Sequence, residues 1–263
     1  MGRKWMVGGG VATLALVGFT VGASTAERAP VSDDELAIEL VHRWIESVGG
    51  MESYWAMEGA RFTLTTELYD VDTGRMKRAR PRYVTIERLE TGEAARIERW
   101  EGNDFIQQGF DGGETLWAVM NGEFLAPGDK DYDEALYVAR DVFYWISLPY
   151  KLKDPGVFLA YGGTDAQGRH VVEVSFGEDV GEHDDTWFYT FEEGRTMPVD
   201  IAYREEGKDN INHTYWEDFR EVDGFLYAGR RVSVNDDGQI TKVLVTTEFE
   251  LNPGTPAEVF LRP

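Results

Sequence analysis

Four histidines, His42, His170, His183 and His213, are the chain's whole supply of imidazole, and none has a second histidine three or four residues on. That spacing removes the helical His pair that most readily grips a transition metal. His183 stands in "GEHDDTW" beside Glu182, Asp184 and Asp185, a run of metal-binding side chains. One loop supplies such donors without making them converge, and this run lies between two strand-like segments where a polar turn is needed anyway. We expect a turn there. "DVDTGR" opens like a calcium loop at Asp70 and Asp72, but its sixth position is Arg75 and its twelfth is Pro81. An EF-hand needs Gly and Glu at those places, so this segment too reads as a hairpin turn, as does "NDDG" at 235–238.

Nucleophilic chemistry has little to draw on. There is no Cys, which removes thiolate catalysis, thiolate metal sites, disulfides and lipid attachment through an N-terminal Cys. No G-x-S-x-G elbow, P-loop or strand-following G-x-G-x-x-G occurs; the "GGG" at 8–10 belongs to the N-terminal segment. Carboxylates are so abundant that no single pair stands out for acid–base work. The expectation is therefore no catalytic residue, no metal and no cofactor, with a hydrolase of unrecognised site left open.

Aromatic side chains carry more information. Trp44, Trp55, Trp100, Trp117, Trp145, Trp187 and Trp216 are spread over almost every segment. In "TWFYTF", Trp187, Tyr189 and Phe191 fall on one face of a strand and Phe188 on the other. Bulky groups on both faces of a strand call for cover on both sides, or for a partly filled cavity. The strongest apolar run is "DVFYWISLPYKLKDPG" at 141–156. Placed at 100° per residue, the helix over 131–148 is apolar around nearly its whole circumference, broken by Arg140 with Ser147 and by Asp141. Such a helix must be buried on more than one side. Candidate lining residues for an apolar cavity are Trp44, Phe62, Leu64, Phe143, Trp145, Leu148, Trp187 and Phe191, each of which also suits a plain core.

The elements that must position these residues follow from periodicity. "SDDELAIELVHRWIESVGG" opens with a capping box, Ser32 and Glu35, and ends at Gly49-Gly50. Its stripe is Leu36, Leu40, Trp44 and Val48, widened by Ile38, Val41 and Ile45. From "RFTLTTELYD" onward the period changes to two, with Phe62, Leu64 and Leu68 on one face. Further alternating runs are separated by Thr-Gly, Gly-Asn, Asp-Gly-Gly and Asn-Gly, the punctuation of antiparallel hairpins. The predicted fold is mainly β (α+β): one large curved antiparallel sheet, or an unclosed β-barrel, of about 11–12 strands wrapped around inserted helices.

The N-terminus reads as an export signal, with Arg3 and Lys4 before an apolar Gly-rich stretch and small residues at Ser24, Thr25 and Ala26. We expect a signal peptide over residues 1–26, cleaved after Ala26 or Ala23, and a single domain over 27–263; an uncleaved anchor is the alternative. Periplasmic or extracellular location follows. The formal charge of −22 becomes −24 once Arg3 and Lys4 are removed. Nucleic acid requires cations that neutralise phosphates, so it is excluded as a partner, and anionic lipid surfaces are disfavoured.

Taken in order, the helix "LVHRWIESVGG", the "YWAMEGARFTLTTEL" strand entry, the mid-chain helix "EALYVARDVFYWISLPYKLKDPG" and the closing "FELNPGTPAEVFLRP" resemble the LolA/LolB-like superfamily of periplasmic lipoprotein carriers, over roughly residues 32–263. The resemblance implies an unclosed antiparallel barrel around helices, and a non-enzymatic carrier of a lipid, lipopeptide or other hydrophobic molecule in its concavity. None of the superfamily's specific sorting residues is matched, and without Cys the chain is not itself a lipoprotein. An extracytoplasmic protein-interaction module with a filled interior is the other reading, and the volume of the interior separates the two.

Overall fold

In the computed structural model, residues 33–177, 185–235 and 237–263 are described. The signal segment, Ser32 of the capping box and the His183 turn lie outside the described residues. The first helix, α1 (Asp33–Ser47), is followed directly by a second, α2 (Gly50–Ala56). The Gly49-Gly50 pair ends α1, as the sequence predicts, but it does not end helical structure. The chain instead turns through Gly49 at φ 106° and starts a new helix, with the Ser53 hydroxyl donating to the Gly49 carbonyl at 2.9 Å. A Cβ at Gly49 would lie 2.4 Å from Ser53 Oγ, so the corner requires glycine.

Thirteen antiparallel strands form one sheet: β1 (Gly59–Tyr69), β2 (Met76–Leu89), β3 (Gly92–Glu101), β4 (Asp104–Phe110), β5 (Leu116–Met120), β6 (Glu123–Phe124), β7 (Val157–Thr164), β8 (His170–Phe176), β9 (Thr186–Phe191), β10 (Asp200–Arg204), β11 (Asn212–Val222), β12 (Phe225–Val234) and β13 (Ile240–Leu251). The strand that sequence reading did not resolve is β6, whose two residues are too short to show alternation. Spatial order runs β6-β5-β4-β3-β2-β1-β13-β12-β11-β10-β9-β8-β7. Every hairpin pairs with its sequence neighbour, and the first and last strands meet in the middle. The two edges, β6 and β7, are consecutive in the chain, and the helical segment lies between them. The sheet does not close.

Bulges help this sheet bend. The β1–β13 register slips between Arg61 and Thr63, opposite Glu248, which sits at φ 54° and accepts the Thr63 hydroxyl at 2.7 Å. Such an extra residue increases local twist. It also changes which side chains point inward: Phe249 returns to the interior, stacked on Tyr227 at 4.2 Å and on Phe225 at 6.0 Å. At the β1–β2 hairpin, "DVDTG" is a turn in which Asp70 Oδ1 accepts both the Thr73 amide and its hydroxyl at 2.9 Å, with Gly74 at φ 65°.

The mid-chain helix is not the single segment predicted over 131–148. It divides into α3 (Lys130–Asp133) and α4 (Ala135–Ile146), and a 3-10 turn over Tyr150–Lys153 follows a cis Leu148–Pro149 bond. Arg99 on β3 holds α3 by donating to Gln108 and Asp131, and the buried Gln108 amide donates to the Asp131 carbonyl at 2.6 Å. Ala135, Ala139, Val142 and Phe143 form the buried stripe of α4, which packs on β3, β4 and β5. On the other half of the concavity, α1 packs on β7 and β8, with Ala37, Leu40, Val41, Trp44 and Ile45 buried. Ile38, assigned to the apolar stripe from sequence, is 54% exposed, and Ala37 takes the inward place.

A cavity between one helix and the concave sheet

With its buried stripe on β3–β5, α4 turns its opposite face inward. Tyr137, Arg140, Asp141 and Tyr144, spaced as one helical face, look across an open cavity of about 590 Å³ toward β1, β2 and β8–β13. This volume lies within the roughly 300–1,000 Å³ of small-molecule sites. A second void of about 20 Å³ adjoins it, sharing Leu64, Asp141, Trp145 and Arg231.

One wall is aromatic. Tyr203 stacks on Trp187 at 4.9 Å, Trp187 meets Trp145 at 5.3 Å, and Trp145 meets Trp216 at 6.2 Å. From Trp216 the rings continue into the core through Trp44 at 6.0 Å and Tyr189 at 5.5 Å from Trp44. Burial pushes Tyr144, on the cavity wall, up to about 12.

The other wall is cationic, and the strand register explains its layout. Arg82 on β2 lies opposite Leu64 of β1, Arg231 on β12 opposite Leu244 of β13, and Lys242 on β13 opposite Ser233 of β12. All these side chains line the cavity, so each cation has an uncharged neighbour, Leu64, Leu244 or Ser233, on the adjoining strand. Arg231 is only 7% exposed, and its guanidinium lies 4.9 Å over the Trp145 ring. Trp145 donates its indole N–H to Asp141 Oδ1 at 2.7 Å. Burial raises the Asp141 carboxyl above its ordinary range, while Arg231, the Trp145 N–H, Arg82 and Lys242 pull it back. Burial likewise lowers Arg231 to about 10 against the pull of Asp141, and lowers Arg82 and Lys242.

Near α4's end, Lys151 binds Glu93, with Asp154 at 3.3 Å. The Tyr150 hydroxyl donates to the Val48 carbonyl at 2.7 Å, tying this segment to the end of α1.

The eight candidates from sequence divide by position. Leu64, Trp145 and Trp187 line the large cavity; Phe62 and Leu148 join Leu64 and Trp145 at the small one. Trp44, Phe143 and Phe191 line neither, each about 1% exposed in the core, because helix stripes and sheet face meet there without a gap. Sequence reading missed Arg82, Arg231, Lys242 and Tyr203. A signal was present in β12, where Phe225 and Tyr227 set an inward phase that Arg231 continues. His42 faces Glu46 at 3.7 Å, His170 shares a 2.8 Å hydrogen bond with Tyr161, and His213 one of 2.7 Å with Asp200; among the described residues no histidine lines the cavity.

No family model and no curated protein sequence matches the chain. Solved structures do. A domain from Vibrio parahaemolyticus, described as a candidate outer membrane lipoprotein-sorting protein, superposes with a TM-score of 0.53 at 9% identity, covering 86% of this chain and 97% of its own. A LolA superfamily protein from Nitrosomonas europaea gives 0.53 at 10% identity over 86% and 97%. The chain has the LolA-like fold. A DUF1329 family protein from Desulfovibrio piger shares this fold, with a TM-score of 0.55 at 8% identity over 88% of this chain and 98% of its own. What these LolA-like structures share with the chain is the path of its backbone.

Proposed function

We propose that this LolA-like protein is a non-enzymatic carrier or binder of a lipid, lipopeptide or other long-chain apolar molecule, acting in the periplasm or outside the cell with residues 27–263 as one domain. The observation that carries this reading is the cavity of about 590 Å³ left between α4 and the concave sheet, walled along one side by Trp145, Trp187 and Tyr203. Binding is burial: each methylene that leaves water for that wall contributes about 0.8 kcal/mol. The export-like N-terminus and the lipoprotein-sorting description of one structural relative support the compartment and the ligand class.

The reading is tested by native mass spectrometry and organic extraction of the full chain purified from its own compartment, together with titration of the fluorescent fatty acid cis-parinaric acid. We expect extractable apolar material and saturable probe binding. Leu244→Trp, which places an indole in the cavity, should weaken the probe by about tenfold or more while leaving the circular dichroism spectrum unchanged. A chain that is reproducibly empty and also ignores the probe would overturn the proposal.

A further inference from the structure

An inward position on a curved sheet is ordinarily apolar, since a buried charge is costly unless it is paired. Here Arg82, Arg231 and Lys242 occupy three such positions, on β2, β12 and β13. They are close enough that each attracts the Asp141 carboxylate and that Arg82 and Arg231 both repel Lys242. One carboxylate therefore faces three cations. The neighbouring acids are engaged elsewhere or stand further off: Glu93 and Asp154 hold Lys151, Asp131 holds Arg99, and Asp185 lies on the aromatic side beside Tyr203. Glu134 also attracts Arg82. Arg231 is the sharpest case, with its Nη1 buried and without a hydrogen-bond partner. A chain with a net charge of −22 thus sets Arg82, Arg231 and Lys242 around the single carboxylate of Asp141 on the inner face of its sheet.

We propose that this wall is the seat of an anionic headgroup, so that the ligand is an anionic amphiphile. A single oxyanion, carboxylate or phosphate, sits on Arg231, Lys242 and Arg82, and its aliphatic chain runs along Trp145, Trp187 and Tyr203. The inference rests on the reading of the cavity as a binding site and adds the chemistry of the head. A guanidinium whose Nη1 has no partner suits a charge-assisted hydrogen bond to an oxyanion, and its face is already bedded on Trp145. The ammonium of Lys242 adds a point charge.

The test uses the full chain and four probes of one chain length: laurate, dodecyl phosphate, dodecanol and dodecyltrimethylammonium, each competing with a neutral fluorescent probe, with inorganic phosphate as a fifth competitor. Laurate and dodecyl phosphate should bind about tenfold or more tighter than dodecanol, and the cationic amphiphile weakest. Arg231→Gln and Lys242→Met should each lower the ratio of laurate to dodecanol affinity by most of its value. Should Arg231→Gln fail to fold, the half-buried Lys242 carries the test. Equal affinity for laurate and dodecanol would overturn the headgroup assignment and leave the apolar binder standing. Inorganic phosphate competing as well as dodecyl phosphate would also overturn it, in favour of a small-anion site. Binding of none of the probes would remove both readings.

Discussion

The guanidinium of Arg231 rests 4.9 Å above the indole of Trp145, and the same indole hands its N–H to Asp141 at 2.7 Å. One ring thereby holds a cation by its face and an anion by its edge, which keeps two opposite charges near each other without direct contact. Replacing Trp145 with Phe keeps a ring for Arg231 but deprives Asp141 of its donor. We expect Trp145→Phe to cost about 2 kcal/mol, the range of a hydrogen bond to a charged group together with a weakened cation–π contact. Urea unfolding with an unchanged m-value is the check; a loss below a few tenths of a kcal/mol would mean that the ring does not organise these charges.

Asp141 gives a pH signature of defined sign. Burial raises its native value above the ordinary 3.8, so the folded protein keeps a proton that the unfolded chain has already released. Between those two values the native state binds more protons, and stability falls as pH rises. Asp141→Asn removes this titration. The stability of Asp141→Asn minus that of the natural chain should therefore grow as pH rises through that window, measured by urea unfolding at closely spaced pH values.

Asp70 behaves in the opposite sense. Hydrogen bonds from Lys77 and from the Thr73 hydroxyl and amide lower its carboxyl to about 2. Its contribution is present above the unfolded value of 3.8 and is lost as pH falls toward about 2. Asp70→Asn should be less stable than the natural chain at neutral pH, and the two should converge over that acidic interval. A gap that persists at its lower end would assign the effect to turn geometry instead.

Tyr150→Phe addresses the link between the two helical segments. The substitution deletes a buried donor and leaves the Val48 carbonyl unsatisfied, while the stacking on Tyr54 at 4.9 Å is retained. A loss of about 1–2 kcal/mol in urea unfolding is expected. No measurable change would show that water replaces the hydroxyl.

Much of the architecture was legible because period-two runs and Gly-Asn or Asp-Gly punctuation are local signals. The helix after Gly50 was not, since "GMESYWA" is short and lacks a side-chain cap, and its place is set by Arg88 donating to the Tyr54 and Met57 carbonyls at 2.7 Å from a distant strand. Trp145 and Trp187 were legible as candidate lining through their bulk. Trp44 and Phe191 are bulky too and line neither of the two cavities, and nothing local distinguishes an aromatic facing a void from one facing a helix. Arg82, Arg231 and Lys242 were invisible as a group because register, not sequence spacing, brings them together. Asp141 did announce itself, as the acid that interrupts an apolar helix.

The strand order has a consequence for how the molecule is made. With β1 and β13 paired at the centre, the sheet without β13 is two separate half-sheets, β1–β6 and β7–β12, each with its long inner strand paired on one side only. Neither half can merge with the other until residues 240–251 have been synthesised, because β13 is the seam between them. Until then β1 and β12 are open templates for any passing strand. The last strand made is the one that unites the sheet, and a nascent chain stopped short of it is the form most exposed to aggregation.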